Sequence, residues 1–340
     1  MKNLLHLTLG LMLAACDSSN IGLEIGAPAT PAAPLSPGSG PALSADPAAL
    51  AASLVCTGDL ASRTPVLLVH GTAVSAGEFS WNYVPALTAL GIPLCTVQLP
   101  DNALADIQDS AEYVVYAIRE MNRISGRKIQ IIGHSQGGML PRWSLRFWPD
   151  TREKVDDLVG LAASNHGTVV ALPFCPPLRG CAPAIWQQQT GSDFITALNA
   201  GFETFDTISY TSVYSVLDEI VVPNLPLTGA TSSTSLAGGD NVVNLATQEI
   251  CPNNTAEHLS TGTSDAAAFA AALDAISNDG PADINRIPLT VCLEPFMPGV
   301  NPMSFPTDAA QSFAEIPQSI ASGPVVGEEP PLKCYVDDSC

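Results

Sequence analysis

Continuous apolar segments alternate with helix-like segments through the middle of this 340-residue chain, and this alternation limits the possible folds more than any other feature. The first segment, Thr64–Gly71, reads TPVLLVHG and is typical of a strand buried on both faces. We predict further strands at Ile92–Pro100, Lys128–Ser135, Lys154–Ser164, Tyr210–Val216 and Asn241–Thr247. Helices are predicted at Phe79–Leu90, Leu104–Ile124 and Gln136–Phe147. Together these elements predict an α/β fold, with a mostly parallel central sheet and helices on both faces.

The regular alternation stops after Gly167. Residues 172–201 contain several prolines, and we predict a short cap or lid made of a loop and a helix. From Pro295 the chain is irregular apart from an apolar helix at Ala309–Ser322, and a proline-rich tail follows. We therefore predict one domain, residues 51–340, with an inserted cap and a C-terminal tail that embraces it.

The N-terminus has the pattern of an export signal. Lys2 supplies a positive charge, and the apolar stretch Leu4–Ala15 is too short to span a bilayer, so residues 1–15 are predicted to be a signal peptide. The sequence LMLAAC ends at Cys16 and resembles the bacterial lipobox, in which the cysteine is diacylated and becomes the mature N-terminus. Ordinary cleavage after an Ala-x-Ala-like site is the alternative. Residues 16–50, rich in Ala, Pro, Ser and Gly, are predicted to be a flexible tether.

Cysteine usage also indicates export. The chain has nine cysteines, and removal of Cys16 leaves an even set, which predicts disulfide bonds in an exported protein. Many pairings are possible. The simplest one joins neighbours along the chain, as Cys56–Cys95, Cys175–Cys181, Cys251–Cys292 and Cys334–Cys340. Metal binding is the alternative, but there is no CxxC pair and no Cys/His cluster with ligand spacing, so we expect no metal.

Charge and hydrophobicity restrict the possible partners. The net charge of −20, from 13 basic and 33 acidic side chains, argues against nucleic acid, which requires a basic surface. No apolar run reaches the roughly 18 residues of a membrane span, so the expected membrane attachment is a lipid on Cys16. The expected location is the bacterial cell envelope, with secretion as the alternative, and the expected state is a monomer.

A serine between two glycines follows the third predicted strand, in the sequence IIGHSQGG. The pattern Gly-x-Ser-x-Gly alone is weak, because glycine and serine are frequent in this chain. Its position between a strand and a helix is more specific, since a nucleophilic serine on such a sharp turn needs small neighbours. Ser135 would also lie at a helix N-terminus, where amide dipoles stabilise negative charge. We predict that Ser135 is a nucleophile.

A serine hydroxyl needs a base that removes its proton and an acid that orients the base. In nucleophile turns of this kind the chain order is serine, acid, histidine, and His258 is the only late histidine among the five. Asp218 follows the strand from Tyr210 and is therefore predicted to be the acid. The alternatives are Glu219, which we expect to point away, and the more distant Asp240 and Glu257.

The oxyanion that forms during attack on a carbonyl needs preorganised hydrogen-bond donors. One should be the backbone N–H of Gln136, the residue after the nucleophile. The other should come from the loop after the first strand, HGTAVS, and Thr72 is the candidate there, with its hydroxyl as a third donor.

These residues together resemble the α/β-hydrolase lipases. The resemblance extends from about Leu54 to the C-terminus and includes the sequences LLVHGT, SQGG, RWSLRFWPDTREKVDDL, HGTVVA, IWQQQTGSDFITAL and YSVLDEIV. It implies an α/β-hydrolase fold with Ser135, Asp218 and His258 as a catalytic triad and with Thr72 and Gln136 as the oxyanion hole. It also supports three of the disulfides, Cys56–Cys95, Cys251–Cys292 and Cys334–Cys340.

The sequence differs from a fungal member of that family at three places. His134 stands where the fungal enzyme has a tryptophan that lines a small pocket for the alcohol group, so this pocket should be larger here. The segment FCPPLRGC carries an additional cysteine pair in the cap, and the lipobox and tether have no fungal counterpart. The last difference indicates a bacterial source.

The substrate follows from the apolar surroundings that the resemblance implies. Phe313, Ile316 and Ile320 should lie beside the acyl site, opposite the cap, although ordinary core packing also explains them. An apolar cleft with few polar groups suits an acyl chain. We expect hydrolysis of triacylglycerols and medium-chain carboxylic esters through an acyl-serine intermediate, without a cofactor or metal. The alternatives are a polyester depolymerase or a phospholipase with the same triad, and a non-catalytic binding protein of the envelope.

Overall fold

A seven-stranded sheet lies at the centre of the structure. The computed structural model describes residues 38–171, 175, 180–224 and 232–337. The strand order is β1-β3-β2-β4-β5-β6-β7, and all neighbours are parallel except β1 and β3. The strands are β1 (Leu54–Thr57), β2 (Val66–Val69), β3 (Leu94–Val97), β4 (Ile129–His134), β5 (Val155–Leu161), β6 (Ser209–Tyr214) and β7 (Val242–Ala246). The predicted α/β class with a mostly parallel sheet is confirmed.

Ten α-helices lie in the described part of the chain. They are α1 (Pro47–Ser53), α2 (Tyr83–Ala89), α3 (Ile107–Ser125), α4 (Gln136–Phe147), α5 (Pro183–Gln187), α6 (Asp193–Leu198), α7 (Thr247–Ile250), α8 (His258–Thr263), α9 (Ala266–Ser277) and α10 (Phe305–Ser322). Short 3-10 segments occur at Ala76–Phe79, Pro100–Ala103, Pro149–Lys154, Ile284–Arg286, Leu289–Leu293 and Cys334–Val336. No helix among the described residues is both long enough and apolar enough to cross a membrane.

The position of β2 inside the sheet explains why its sequence is continuously apolar. All four of its side chains are fully buried, and they alternate between two hydrophobic clusters. Leu67 and Val69 pack in the cluster that contains α3 and α4, whereas Val66 and Leu68 pack in the cluster that contains α2 and α9. A strand covered by helices on both faces needs an apolar side chain at every position, so the alternation of apolar and polar residues seen in half-exposed strands is absent.

Local signals set most of the helix boundaries. The helix α3 begins after Asp106, whose side chain accepts a hydrogen bond from the N–H of Gln108, and it ends at Gly126 in a left-handed conformation. The predicted helix at Phe79–Leu90 is divided, because Asn82 caps a new helix, α2, after the 3-10 turn. The helix α10 begins at Phe305, four residues before the predicted start, with a proline in its first turn.

The folded domain begins before residue 51, so the predicted end of the tether is too late. Arg119 of α3 donates to the carbonyl of Ser39 at 2.8 Å, and Trp148 donates to the carbonyl of Pro41 at 2.8 Å. The carboxylate of Glu112 accepts hydrogen bonds from the hydroxyl of Ser44 and from the N–H of Ala45. These side chains bind backbone groups that a proline-rich segment leaves free, which composition alone does not reveal. The predicted signal peptide, Cys16 and most of the tether lie outside the described residues.

Three disulfides connect described cysteines. Cys56–Cys95 joins β1 to β3, where the two cysteines face each other in the antiparallel pair. Cys175–Cys181 lies in the predicted cap, and Cys251–Cys292 joins the end of α7 to the 3-10 segment Leu289–Leu293. The predicted pairing Cys334–Cys340 involves Cys340, which is outside the described residues.

Candidate active site

Ser135 occupies a strained turn between β4 and α4. Its φ and ψ are 54° and −124°, a backbone conformation that residues other than glycine rarely adopt. The turn is tight, because a Cβ on Gly133 would lie 1.9 Å from the carbonyl oxygen of Gly137. A Cβ on Gly137 would lie 2.1 Å from the carbonyl oxygen of Val69. The two glycines therefore permit this turn, which points the Ser135 side chain away from the strand at the sheet's carboxyl edge.

The structure brings the three predicted triad residues together. The Ser135 Oγ atom is 3.1 Å from Nε2 of His258, and Nδ1 of His258 is 2.8 Å from Oδ2 of Asp218. All three side chains are buried. Because Nδ1–H donates to Asp218, Nε2 is the nitrogen that can accept a proton from Ser135.

Asp218 is held by more than its contact with His258. Its second carboxylate oxygen, Oδ1, accepts hydrogen bonds from the N–H groups of Ile220 and Val221, both at 2.8 Å. Asp218 lies in a turn four residues beyond the last residue of β6. These two backbone bonds fix the carboxylate so that Oδ2 faces the histidine ring.

Glu219 does not point away from the site. Its Oε2 accepts a hydrogen bond from the backbone N–H of His258 at 3.3 Å, and the exposed side chain lines the cavity in front of Ser135. The expectation of an outward side chain treated residues 218 and 219 as part of a strand. They lie in a turn, where consecutive side chains need not point to opposite sides.

Thr72 lies beside the N-terminus of α4, as expected for an oxyanion hole. Its Oγ1 accepts a hydrogen bond from Nε2 of Gln136 at 3.1 Å and another from Nε2 of Gln188 at 3.0 Å. Both amides donate, so the hydroxyl proton of Thr72 remains for a further acceptor. The backbone N–H of Gln136 belongs to the first turn of α4, where N–H groups have no acceptor within the helix. Gln188 was not predicted from the sequence.

A cavity of about 260 Å³ lies in front of Ser135 and His258. Most of the side chains that surround it are apolar, among them Ala73, Val74, Ala171, Ile185, Ile220, Val221, Leu259, Ile316 and Ile320. Phe313 is not among the residues that line it, contrary to expectation. The reason is that α10 contacts the cavity only through its last two turns, where Ile316 and Ile320 lie.

His134 and Glu78 form a buried pair in the cavity wall. Nδ1 of His134 is 2.6 Å from Oε1 of Glu78, and both side chains are at most 2% exposed. Burial alone would raise the pKa of Glu78 and lower that of His134, but attraction between the two groups outweighs burial. The pKa of the Glu78 carboxyl is therefore lowered and the pKa of the His134 imidazolium is raised. Glu78 was not predicted to be near the site, although one acidic residue in the apolar segment AGEFSW is a signal of a buried partner.

The remaining polar groups give no metal site in the described part of the chain. Within residues 38–337, apart from the undescribed gaps, no cluster of three or more His, Cys, Asp or Glu side chains could hold a metal ion.

The fold and the serine turn together define the class of this protein as an α/β hydrolase. A serine after the central strand of a mostly parallel sheet contacts a histidine late in the chain, which contacts an acid that lies between them in sequence. The chain belongs to the family Lipase (class 2), which residues 63–260 match. The expected resemblance to α/β-hydrolase lipases is thus confirmed.

Two fungal lipases are similar to this chain. Lipase B of Pseudozyma antarctica is 39% identical over 236 residues, which cover 67% of this chain and 66% of that protein. The chain thus matches slightly less than two thirds of the length of this relative. The crystal structure of Aspergillus fumigatus lipase B superposes with a TM-score of 0.79 at 30% identity, covering 88% of this chain and 74% of the other.

Proposed function

We propose that this protein is a serine ester hydrolase, a lipase or carboxylesterase, that cleaves triacylglycerols and medium-chain carboxylic esters. The observation that carries the proposal is the continuous set of contacts from Ser135 to His258 to Asp218, at 3.1 and 2.8 Å, which opens into an apolar cavity. Membership in a lipase family and similarity to two fungal lipases support it.

In the first half of the reaction, the Oγ atom of Ser135 attacks the carbonyl carbon of the ester. Nε2 of His258 takes the hydroxyl proton as the new C–O bond forms, and the carbonyl electron pair moves onto oxygen. The resulting oxyanion accepts hydrogen bonds from the N–H groups of Thr72 and Gln136 and from the Thr72 hydroxyl. The intermediate then collapses, the bond to the alcohol oxygen breaks, and His258 returns its proton to the leaving alcohol.

In the second half, water takes the place of the alcohol. His258 removes a proton from the water, whose oxygen attacks the acyl carbon attached to Ser135. Collapse of the second oxyanion breaks the acyl–serine bond, and Ser135 regains a proton from His258. During both halves, Asp218 keeps the imidazole in the orientation that leaves Nε2 free to exchange protons.

The acyl chain of the substrate is assigned to the apolar part of the cavity. Ile316 and Ile320 of α10 face Ile185 and Ala171 of the cap region across this space. Contact between these side chains and an alkyl chain removes apolar surface from water, which contributes about 25 cal/mol per Å². A charged or strongly polar acyl group would lose hydration there without compensating hydrogen bonds.

Hydrolysis by the wild type and by Ser135→Ala tests the proposal. The wild type should release acid from tributyrin and from medium-chain p-nitrophenyl esters, and Ser135→Ala should lose at least about 10³-fold in kcat. A long-chain triglyceride, a phospholipid and a polyester film identify the alternatives of a phospholipase or a polyester depolymerase. Equal activity of the two proteins would refute the mechanism. The complete absence of ester hydrolysis in the wild type would favour a non-catalytic binding protein of the envelope.

We also infer that the protein is exported and carries a lipid on Cys16. The three disulfides support export, because such bonds persist in oxidising compartments. The lipobox-like sequence LMLAAC supports the anchor. Mass spectrometry of the mature N-terminus should detect a diacylated Cys16. An unmodified Cys16 would refute the lipid anchor and would favour a secreted protein.

A further inference from the structure

A buried line of hydrogen bonds behind the cavity joins the oxyanion loop to the proposed catalytic base. The N–H of Gly71, the residue before Thr72, donates to Oε2 of Glu78 at 3.0 Å. The other carboxylate oxygen of Glu78 is 2.6 Å from Nδ1 of His134. Nε2 of His134 lies 3.3 Å from the backbone carbonyl oxygen of His258. The line therefore begins beside Thr72 of the proposed oxyanion hole and ends on the backbone of His258, the proposed base.

The atoms at both ends of the His134 ring determine its charge. Nδ1 faces a carboxyl oxygen of Glu78, and Nε2 faces a backbone carbonyl oxygen, which only accepts. Nε2 therefore carries hydrogen, and the contact between Nδ1 and Oε1 holds one further proton. With that proton on the ring, His134 is an imidazolium paired with the Glu78 carboxylate. The raised pKa of His134 and the lowered pKa of Glu78 agree with this state.

The ring of His134 fits a space that glycines create. A Cβ on Gly262, in α8, would lie 2.0 Å from Cδ2 of His134. A Cβ on Gly71 would lie 3.3 Å from Nδ1 of the same ring. The ring is thus held closely between the oxyanion loop and the helix that begins at His258.

Another ionisable residue near the pair, His70, holds the same oxyanion loop. His70 accepts a hydrogen bond at Nε2 from the N–H of Leu99, so its Nδ1–H donates to the carbonyl of Gly71 at 2.9 Å. Burial lowers the pKa of His70, which agrees with a neutral ring. The Asp218 carboxylate, in the turn after β6, contacts the His258 ring, and its negative charge also favours a raised pKa of His134.

We propose that Glu78 and His134 are positioning residues that connect the oxyanion loop, the nucleophile turn and the catalytic histidine into one rigid unit. The proposal rests on the proposed function, because it assigns the pair a role in that same reaction. Glu78 fixes the peptide group beside Thr72, and His134 is covalently adjacent to Ser135 while it holds the backbone of His258. Neither side chain exchanges a proton with the substrate.

Rigid positioning has a specific kinetic consequence. Stabilisation of the transition state requires the oxyanion donors and Nε2 of His258 to be placed within a fraction of an ångström, and a misplacement of about 1 Å can cost about 10²-fold in rate. Loss of the pair should therefore lower kcat more than it changes KM. A pair that only shaped the cavity wall would change KM instead.

The test uses Glu78→Gln, His134→Gln and the double variant, each in the full chain. Each single variant should lower kcat for p-nitrophenyl butyrate by roughly 10- to 100-fold, with KM within about threefold of the wild type. The rate at which a fluorophosphonate labels Ser135 should fall by a similar factor, because labelling needs the same base and oxyanion hole. The double variant should lose clearly less than the product of the two single losses, because each single variant leaves one buried charge without its partner.

A second Glu–His pair in this chain serves as the matched control. Nε2 of His166 is 2.9 Å from Oε1 of Glu203, while Nδ1 of His166 is 2.9 Å from the carbonyl oxygen of Ser232. Glu203 also accepts a backbone N–H bond, from Ala237, so both pairs have the same pattern of contacts. The variants Glu203→Gln and His166→Gln should keep kcat within about twofold at temperatures well below their Tm.

The possible results separate the inference from the proposed function. If the wild type neither hydrolyses esters nor is labelled at Ser135, the proposed function fails. If the wild type is active but the Glu78 and His134 variants keep kcat and labelling within about threefold, the positioning role is overturned. It is overturned as well if only KM changes, or if the control variants lose as much kcat as these variants at equal folded fractions measured by circular dichroism.

Discussion

Replacement of Asp218 by asparagine tests how the orientation of His258 controls the reaction. The carboxylate accepts two backbone N–H bonds at Oδ1 and the Nδ1–H of His258 at Oδ2. In Asp218→Asn, one of these two oxygens becomes an NH₂ group, which donates instead of accepting. An NH₂ group at the Oδ1 position would face two donors, the N–H groups of Ile220 and Val221. At the Oδ2 position it would face only one, the Nδ1–H of His258. The amide oxygen should therefore stay on the two N–H groups, and the NH₂ group should face His258.

The expected loss follows from the tautomer that this arrangement imposes. Nδ1 of His258 must then accept a hydrogen bond, so the ring proton moves to Nε2, the atom 3.1 Å from Ser135 Oγ. A protonated Nε2 cannot remove the serine proton. In serine proteases with a Ser-His-Asp triad, the equivalent change lowers kcat by about 10⁴-fold, and we expect a similar factor here. At about 1.4 kcal/mol per tenfold change, this corresponds to about 5 kcal/mol of lost transition-state stabilisation.

The assay is kcat for p-nitrophenyl butyrate, together with the rate of fluorophosphonate labelling. KM should change by less than about threefold, because the Asp218 side chain does not contact the substrate in the proposed mechanism. Asp265→Asn is a suitable control, since the carboxylate of Asp265, which caps α9 and is partly buried, likewise accepts a backbone N–H bond, that of Ala268. It should keep kcat within about twofold. A loss below about tenfold in Asp218→Asn would refute the tautomer argument.

Three further predictions concern other parts of the structure. Thr72→Val should lower kcat by about 10²-fold, because it removes a hydroxyl donor and one of the two acceptors of the Gln136 and Gln188 amides, whereas Thr72→Ser should stay within about threefold in the same ester assay. Burial raises the pKa of the Asp157 carboxyl from 3.8 to about 7, so the stability that its protonated form contributes near pH 4 is lost as pH rises through 7. Asp157→Asn cannot ionise, so its free energy of unfolding in urea should exceed that of the wild type by up to about 4 kcal/mol at pH 9 and should match it near pH 4. A difference in stability between Asp157→Asn and the wild type that is the same at both pH values would contradict this. Removal of the Cys251–Cys292 disulfide by a double alanine substitution should lower the free energy of unfolding by about 4 kcal/mol, since its cysteines are 41 residues apart; a loss below about 1 kcal/mol would contradict the chain-entropy argument.

The parts of the fold that sequence predicts well are those with a strong local signal. The strands β2 to β7 lie in segments rich in apolar and β-branched residues, and the helix α4 begins directly after the serine turn, so their positions are close to the predicted ones. The strand β1 was missed because its last three residues are exposed, and its place in the sheet depends on pairing with the distant β3. The packed segment before residue 51 was missed for a similar reason, since its partners lie on α3 and at the end of α4.

The site divides in the same way. Ser135, Asp218 and His258 could be selected because chain order and the strand–turn–helix pattern restrict each choice, and the structure brings these three residues together. Gln188 could not be selected, because it reaches the site through tertiary contacts that have no periodicity in sequence. For Glu78 the segment AGEFSW indicates a buried acidic residue, but not which partner it meets. Phe313 shows the opposite error, since a residue on the correct helix can still lie beyond the cavity.

The assignment of Ser135 as the nucleophile is tested most directly by its covalent labelling. The protein is treated with a fluorophosphonate, digested with trypsin and analysed by mass spectrometry, where Ser135 lies in the peptide of residues 129–142. This peptide should gain the mass of the reagent in the wild type, Ser135→Ala should not react, and the loss of ester hydrolysis should parallel the labelling. Hydrolysis that continues after complete labelling, or a label on a different residue, would refute the role of Ser135 as the nucleophile.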